Sequence, residues 1–308
     1  MMTEEKTKRR GDVFLFLISF FAFVLILAFP RVTADSVRSG LDLCFQTVVP
    51  AVFPSIVLSN LLFSRSFAPI EKTVGRLFSS LFRVSPRGAV AWTVGLLAGF
   101  PTGAITVSND VKSGRLSQEE GEYLLSFVNN TGPAFLVGGI GVGLFGSAKI
   151  GWSLWLLQIP VSLFVALLFR PRERKTAVRT DGSVFRPVDP VSAIVRASET
   201  SVRIVGFVCF FSVVGALFSL FLTNGIALSF SSVLLEVGGG AKRAAALPFP
   251  FPALPLVSLS VCFSGLSVHF QTIEAIKEAG IRAKKYLMGK IASGLFGFLL
   301  ALLLCLTN

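Results

Sequence analysis

Charge is scarce in this chain, and histidine is almost missing. Charged residues fill 15% of the 308 positions, against about 25% in soluble domains. His269 is the single histidine. No H-E-x-x-H occurs, which argues against a zinc hydrolase. The four cysteines, Cys44, Cys209, Cys262 and Cys305, stand far apart in apolar runs. They form no CxxC and no ligand cluster, so they read as small hydrophobes rather than disulfides or metal ligands. Carboxylates are thin as well. Asp42 lies near the start of one apolar run and Asp110 near the end of another, and no acidic residue is expected mid-span beside the polar breaks described below. That speaks against a carboxylate relay for proton or sodium coupling. With no nucleophile–base pair and no metal set, the chain is not read as an enzyme, and no metal or other cofactor is expected.

What is present is apolar. Hydrophobic residues make up 53% of the chain, phenylalanine alone takes 31 positions, and mean hydropathy is +0.74. Val13–Pro30 (VFLFLISFFAFVLILAFP) contains one polar residue, Ser19. About 18–20 such residues span the hydrocarbon core of a bilayer. Lys6, Lys8, Arg9 and Arg10 precede this run, as they would in a signal peptide. The F-P-R-V-T that follows lacks the small residues of a cleavage site, so the run reads as an uncleaved first span. The net charge of +12 collects in the hydrophilic breaks, above all Arg65–Arg87 and Arg170–Arg196. Cytoplasmic loops of membrane proteins are enriched in this way. The lipid bilayer is therefore the expected partner, and nucleic acid is not.

The chain also repeats itself. S-V-R-S-G-L-D-L-C-F-Q-T-V-V-P-A-V-F (36–53) laid over S-V-R-I-V-G-F-V-C-F-F-S-V-V-G-A-L-F (201–218) gives nine identities in eighteen positions. Each copy continues into a weakly amphipathic stretch, Phe67–Phe82 or Ile226–Val237. Each then enters an apolar run broken by glycine and a hydroxyl, G-F-P-T-G (99–103) or F-S-G-L-S (263–267). A charged segment and a last apolar helix near Tyr123 or Tyr286 follow. The chain divides into an N-terminal tail and first helix (1–35), a first repeat (36–169), a basic linker (170–198) and a second repeat (199–308).

If 88–110 enters the membrane and returns as a hairpin, both basic loops face the cytoplasm and the repeats are inverted. Lys277–Lys285 then falls outside, against the positive-inside rule. Eight full crossings is the competing arrangement. The expected fold is an all-α polytopic membrane protein with six full spans. Its inverted repeats each carry an interfacial helix, a re-entrant hairpin and a broken transmembrane helix. Inverted repeats are a transporter signature and place the substrate between them, near the midplane.

The broken elements supply the candidate binding residues. S-F-V-N-N-T-G-P (126–133) puts Asn129, Asn130, Thr131 and Gly132 ahead of a proline that cannot bond back along a helix. A helix interrupted there exposes free N–H and C=O groups, and its second fragment offers a positive dipole end to an anion. The supposed hairpin tips add Thr102 and Gly103 in one copy and Ser264, Gly265 and Ser267 in the other. Behind them stand Ser108 and Asn109, matched by His269 and Gln271. His269 reads equally as a proton-linked switch or as a neutral bond between helices. The bland reading of all these positions is a packing kink with satisfied polar groups.

G-F-P-T-G-A (99–104), F-V-N-N-T-G-P-A-F-L-V-G (127–138) and F-S-G-L-S-V-H-F-Q (263–271) together resemble the YlbJ-type sporulation integral membrane proteins. These fall in the nucleoside-recognition Gate domain group, itself similar to concentrative nucleoside transporters. The resemblance implies movement of dipicolinic acid across the outer forespore membrane, in a protein of the bacterial inner (cytoplasmic) membrane. Thr131-Gly-Pro stands where the family usually has Ser-Gly-Pro, which keeps the hydroxyl. A small anionic molecule is the expected substrate. A nucleoside or nucleobase carrier and a non-transporting scaffold for spore envelope assembly are the alternatives. Assembly as a homo-oligomer stays open.

Overall fold

The computed structural model describes residues 2–63, 68–173, 188–222 and 224–307. Arg65 and the central part of the basic linker, 174–187, lie outside the described residues, as do the side chains of the basic N-terminal tail. Every described element is helical. Among the described residues, six helical stretches are long and apolar enough to cross a membrane: Gly11–Ala28, Pro30–Leu62, Ala148–Leu168, Pro190–Ser219, Ala253–Lys277 and Lys284–Thr307. The chain is an all-α polytopic membrane protein.

α1 (Met2–Ala28) buries none of its apolar span, Gly11–Ala28, against the rest of the chain. Pro30, whose fixed φ suits a first helical position, opens α2 (Pro30–Leu43). A π-helical turn, π1 (Cys44–Val48), leads into α3 (Val49–Phe63). Two short helices follow, α4 (Ala68–Lys72) and α5 (Val74–Phe82).

α6 (Arg87–Ala98) and α7 (Thr102–Lys112) fold back on one another as a helical hairpin. They meet through glycines: a Cβ on Gly103 would stand 3.0 Å from the Cα of Gly95. The open end is clamped by Asp110, which is buried and lies 2.8 Å from Arg87 Nε and 2.8 Å from Arg115 Nη2. Asp110 is thus a structural clamp of the hairpin.

α8 (Gln118–Val128), a break, a π-helical segment π2 (Ala134–Val142) and α9 (Gly143–Phe145) run along α10 (Ala148–Leu168) from end to end. Tyr123 donates to the Ala166 carbonyl at 2.6 Å. Thr131 meets Gln158, and a Cβ on Gly151 would lie 2.5 Å from the Leu136 carbonyl oxygen. The broken helix is therefore antiparallel to α10, with its break opposite the middle of that span.

In the second half, α11 (Pro190–Ser219) starts at Asp189, whose side chain accepts from Ser192 N–H. α12 (Gly225–Leu235) and α13 (Val237–Ala245), joined by Glu236 alone, form a second helical hairpin. A Cβ on Gly240 would stand 2.6 Å from Val233 Cα. α14 (Ala253–Phe263) and α15 (Gly265–Lys277) follow, and α16 (Lys284–Thr307) closes the bundle. α14 is antiparallel to α16, with Ser258 donating to Gly297 O at 2.8 Å.

Two expectations are corrected here. The stretch 253–277 does not turn back at Ser264–Gly265; it is a single broken span. The hairpin of this half is α12–α13, so Ile226–Val237 is its first arm rather than an interfacial helix, and among the described residues no counterpart of α4 and α5 precedes it. A glycine and a hydroxyl in an apolar run mark a helix break in either geometry. What differs is where the second fragment packs: α7 folds back on α6, whereas α15 runs on from α14. Lys277–Lys285 is the second correction. Lys112 pairs with Glu278 at 3.0 Å and Arg282 with Glu122 at 2.6 Å, while Gln118 donates to Ala279 O. Arg170 in turn reaches Ser80 O. Lys277–Lys285 therefore lies on the same face as the basic segments around Lys112 and Glu122, so the hairpin does not place it apart from them.

Candidate functional site

The two hairpin tips seat on the two helix breaks. Gly99, at the first tip, has φ +79°, and a Cβ there would lie 2.5 Å from Gly132 N. Gly265, at the second break, has φ +70°, and its Cβ would lie 3.2 Å from Glu236 N at the second tip. Both positions combine a backbone only glycine adopts readily with contact too close for a side chain.

Side chains meet the backbone groups of the first break at Asn129 and Thr131. Gln158 accepts from Thr131 N–H and donates to Thr131 C=O, both at 2.9 Å. The Thr131 hydroxyl donates to Val261 O at 2.7 Å. Val261 sits in the last turn of α14, where carbonyls lose their helical partners. Lys290, buried on α16, donates to Asn129 O at 2.8 Å, and Asn129 Nδ2 donates to Thr272 Oγ1 at 2.8 Å.

A cavity of about 30 Å³ lies where tips and breaks meet, with Phe100, Thr131, Gly132, Glu236, Ser267 and Gln271 in its wall. It adjoins two larger cavities along α11. One, of about 180 Å³, shares Ile204 and Gln271 with it, opens on the basic face and holds Lys112, Arg203, Glu274 and Glu278. The other, of about 440 Å³, shares Glu236 and holds Asp35, Lys242 and Arg243. Their α11 walls run from Thr200 to Ala216, a row about 24 Å long at the helical rise per residue.

Four helix N-termini point toward this centre: α7, π2, α13 and α15. The first, second and fourth have no side-chain cap; α13 is capped by the Glu236 carboxylate on Gly238 and Gly239 N–H. Positive dipole ends of this kind favour negative charge.

The residues singled out in the sequence divide. Thr131, Gly132, Ser267 and Gln271 line the central cavity. Thr102 and Gly103 sit behind the first tip, where Gly103 packs on Val128 O. Asn129 and Asn130 are buried but turned to other partners; Asn130 Nδ2 bonds only Phe127 O, at 2.9 Å. Ser264 and Gly265 form the second break. His269 faces α16 instead, with Nδ1 2.8 Å from Tyr286 Oη and Phe263 against its ring. Ser108 and Asn109 line the cavity on the basic face.

Three residues were missed. Glu236, 5% exposed, overturns the expectation that no carboxylate lies beside the broken elements. Its signal was an acid one residue ahead of Gly238-Gly239-Gly240 at the end of an apolar run. Lys290 is an isolated lysine inside the last apolar run, itself a flag in a membrane segment. Gln158 is the one amide in α10.

No protein-family model matches the chain, and no solved structure matches it. The chain is similar to the sporulation integral membrane protein YlbJ of Bacillus subtilis (strain 168), at 25% identity over 94% of this chain and 82% of that protein. The resemblance to YlbJ-type proteins carried by the three motifs is thereby supported along nearly the whole chain.

Proposed function

We propose that this protein moves a small anion across the membrane, as a transporter or facilitated channel, and that dipicolinate is the substrate its resemblance points to. The observation that carries this reading is the meeting of both tips and both breaks at one narrow cavity between two wider ones. Irregular backbone at mid-depth is tolerated only where protein or a water-filled cavity satisfies it. A flat aromatic dianion suits uncapped helix N-termini and neutral hydroxyl and amide donors. The central cavity as it stands holds about two waters, so passage requires a tip to move.

In this reading the repeats are inverted. α2–α3 and α11 pack antiparallel, with Gly40 against Cys209. The first hairpin enters from the basic face and the second from the opposite one, and the broken helices run in opposite directions. The basic face is cytoplasmic by its charge, in the bacterial inner membrane or the outer forespore membrane. Such repeats alternate access by moving one half against the other.

A nucleoside carrier is the second reading, favoured by Glu236, whose carboxylate can accept from a ribose hydroxyl. The test is uptake of dipicolinate, with uridine in parallel, into liposomes carrying the protein, Ser267→Ala or Gln271→Leu at equal protein content. Dipicolinate uptake above empty vesicles, lost in both variants, supports the anion reading. Movement of uridine alone supports the nucleoside reading. Movement of neither by folded protein overturns transport.

A further inference from the structure

We infer that transport is proton-coupled and that Glu236 is the side chain that carries the proton. The inference rests on the transport reading above and goes beyond it by naming the driving ion. Glu236 is 5% exposed. Its carboxylate accepts from Gly238 and Gly239 N–H and has no ion-pair partner among the described residues. It borders both the central cavity and the wider one that holds Asp35, Lys242 and Arg243. Ionisable side chains at such depth in a membrane protein mark proton and ion paths.

A cap alone does not call for glutamate. Ser, Thr, Asn and Asp lead at N-caps, and a neutral one would cap α13 without burying a charge. The surroundings do not neutralise that charge. α9, α12, α14 and π2 carry no charged residue, and Cys262 of α14 turns to Gly297. α2 brings Asp35, and α13 itself brings Lys242 and Arg243, both exposed in the wider cavity. π1 brings the Cys44 thiol, with Cys209 of α11 near it. On α15, His269 is turned to Tyr286. Glu274 of α15 and Arg203 of α11 stand in the cavity on the basic face.

The wall of the central cavity gives an independent sign. Gln271 is 5% exposed, and its Oε1 is an acceptor without a donor. Ser55 and Thr131, in the same wall, already donate their hydroxyl hydrogens to Ala51 O and Val261 O. A buried polar atom left unpaired calls for a partner. An acceptor that shares a wall with a carboxylate calls for a proton. Protonated Glu236 supplies that wall with an O–H donor.

Charge then links proton and substrate. An anion that reaches the centre is repelled by the carboxylate, and more strongly in a buried site than in water. Protonation removes the repulsion, so proton and anion each raise the affinity for the other. A hydronium in the wider cavity gives its proton to one Glu236 oxygen and leaves as water, while the other oxygen stays on the α13 amides. Once access has switched, a water on the path to the basic face takes the proton away.

The test is dipicolinate uptake into liposomes carrying the full-length protein, with the outside about one pH unit more acidic. Equal potassium and valinomycin hold the voltage at zero. One proton per substrate then drives about tenfold accumulation, and a pH dye inside reports acidification when dipicolinate is added. Glu236→Gln is expected to stop at equal concentrations inside and out and to leave the dye unchanged. Glu236→Ser, itself a good N-cap, serves should the glutamine variant fail to fold. This end ratio does not depend on how fast a variant works. Full accumulation by a neutral variant overturns Glu236 as the proton carrier. So does absence of all uptake in both folded neutral variants, because a neutral side chain stands in for the protonated state. Equilibration without accumulation by the unaltered protein, or accumulation that follows a sodium gradient instead, overturns proton coupling and leaves the transport reading standing. No uptake by any form overturns both.

Discussion

Thr131 Oγ1 lies 2.7 Å from the carbonyl oxygen of Val261 and donates to it. One residue thereby ties the break of the first broken helix to the last turn before the break of the second. With Gln158 on its N–H and C=O, Thr131 uses its backbone and side chain together. A shift of either break must pass through it.

Thr131→Val keeps the shape and removes the donor. The Val261 carbonyl then keeps the longer bond from Ser264 Oγ, at 3.3 Å, so the loss is about 1 kcal/mol. The expected result is a lower melting temperature and a fall in dipicolinate uptake of about tenfold. Thr131→Ser retains the hydroxyl and is expected to behave like the unaltered protein. Unchanged melting and uptake in the valine variant would show that the bond between the breaks does nothing.

Gln158 faces a harsher test, because it serves two backbone groups at once. Gln158→Leu strands both the N–H and the C=O of Thr131 in a buried site. At about 1–3 kcal/mol for each stranded group, the loss is about 2–6 kcal/mol. Gln158→Glu keeps the acceptor for the N–H but cannot donate to the carbonyl. The order of folded yield is expected to be unaltered protein, then Glu, then Leu. Size-exclusion recovery after heating measures it.

How much of this was legible in the sequence follows from what each signal encodes. Hydropathy shows where helices cross, and Asn129–Pro133 shows a break because proline cannot continue the bonding pattern. Thr131, Gly132, Ser267 and Gln271 were found through these breaks and do line the cavity. Whether an apolar run passes through or turns back is not a property of the run. Ser264–Gly265 and Gly99–Pro101 look alike in sequence, yet one breaks a span and the other tips a hairpin. The second tip was passed over because its one-residue link, Glu236, closes an apolar helix that looked amphipathic on its own. Gln158 and Lys290 act on backbone atoms distant in sequence, 27 and 161 positions away. Nothing local to them shows that.

Two glycines with positive φ separate strain from contact. Gly146 has φ +63° and open space around its Cβ position, so Gly146→Ala meets only the cost of a left-handed conformation, about 1–2 kcal/mol. Gly99, at φ +79° and ψ −173°, sits in a region nearly reserved for glycine, and its Cβ would overlap Gly132 N. Gly99→Ala is therefore expected to unseat the first tip, with little folded protein and no uptake, while Gly146→Ala stays active. Equal effects from the two would mean that the tip does not need to touch the break.

The ion pair Lys112–Glu278, at 3.0 Å, lies across the cavity on the basic face, whose wall includes both residues. It joins the end of α7 to the end of α15, so it acts as a latch between the first hairpin and the second broken helix. The hydrogen bond and charge of Lys112 hold the Glu278 carboxyl below its ordinary value of 4.5. A carboxyl with a depressed folded value contributes stability that is present above 4.5 and is lost as pH falls through that lower value. The melting difference between the unaltered protein and Glu278→Gln is therefore expected at pH 7, should shrink as pH falls below 4.5 and should vanish below that lower value. Both side chains are well exposed, so the difference is small and shrinks with salt. The latch also predicts access. In a background without native cysteines, a cysteine placed at Ser108, which lines this cavity, should react faster with a charged thiol reagent when Glu278 is Gln. It should also react faster at high salt in the unaltered pair. Labelling that ignores both changes would show that the pair sits at the mouth without holding it closed.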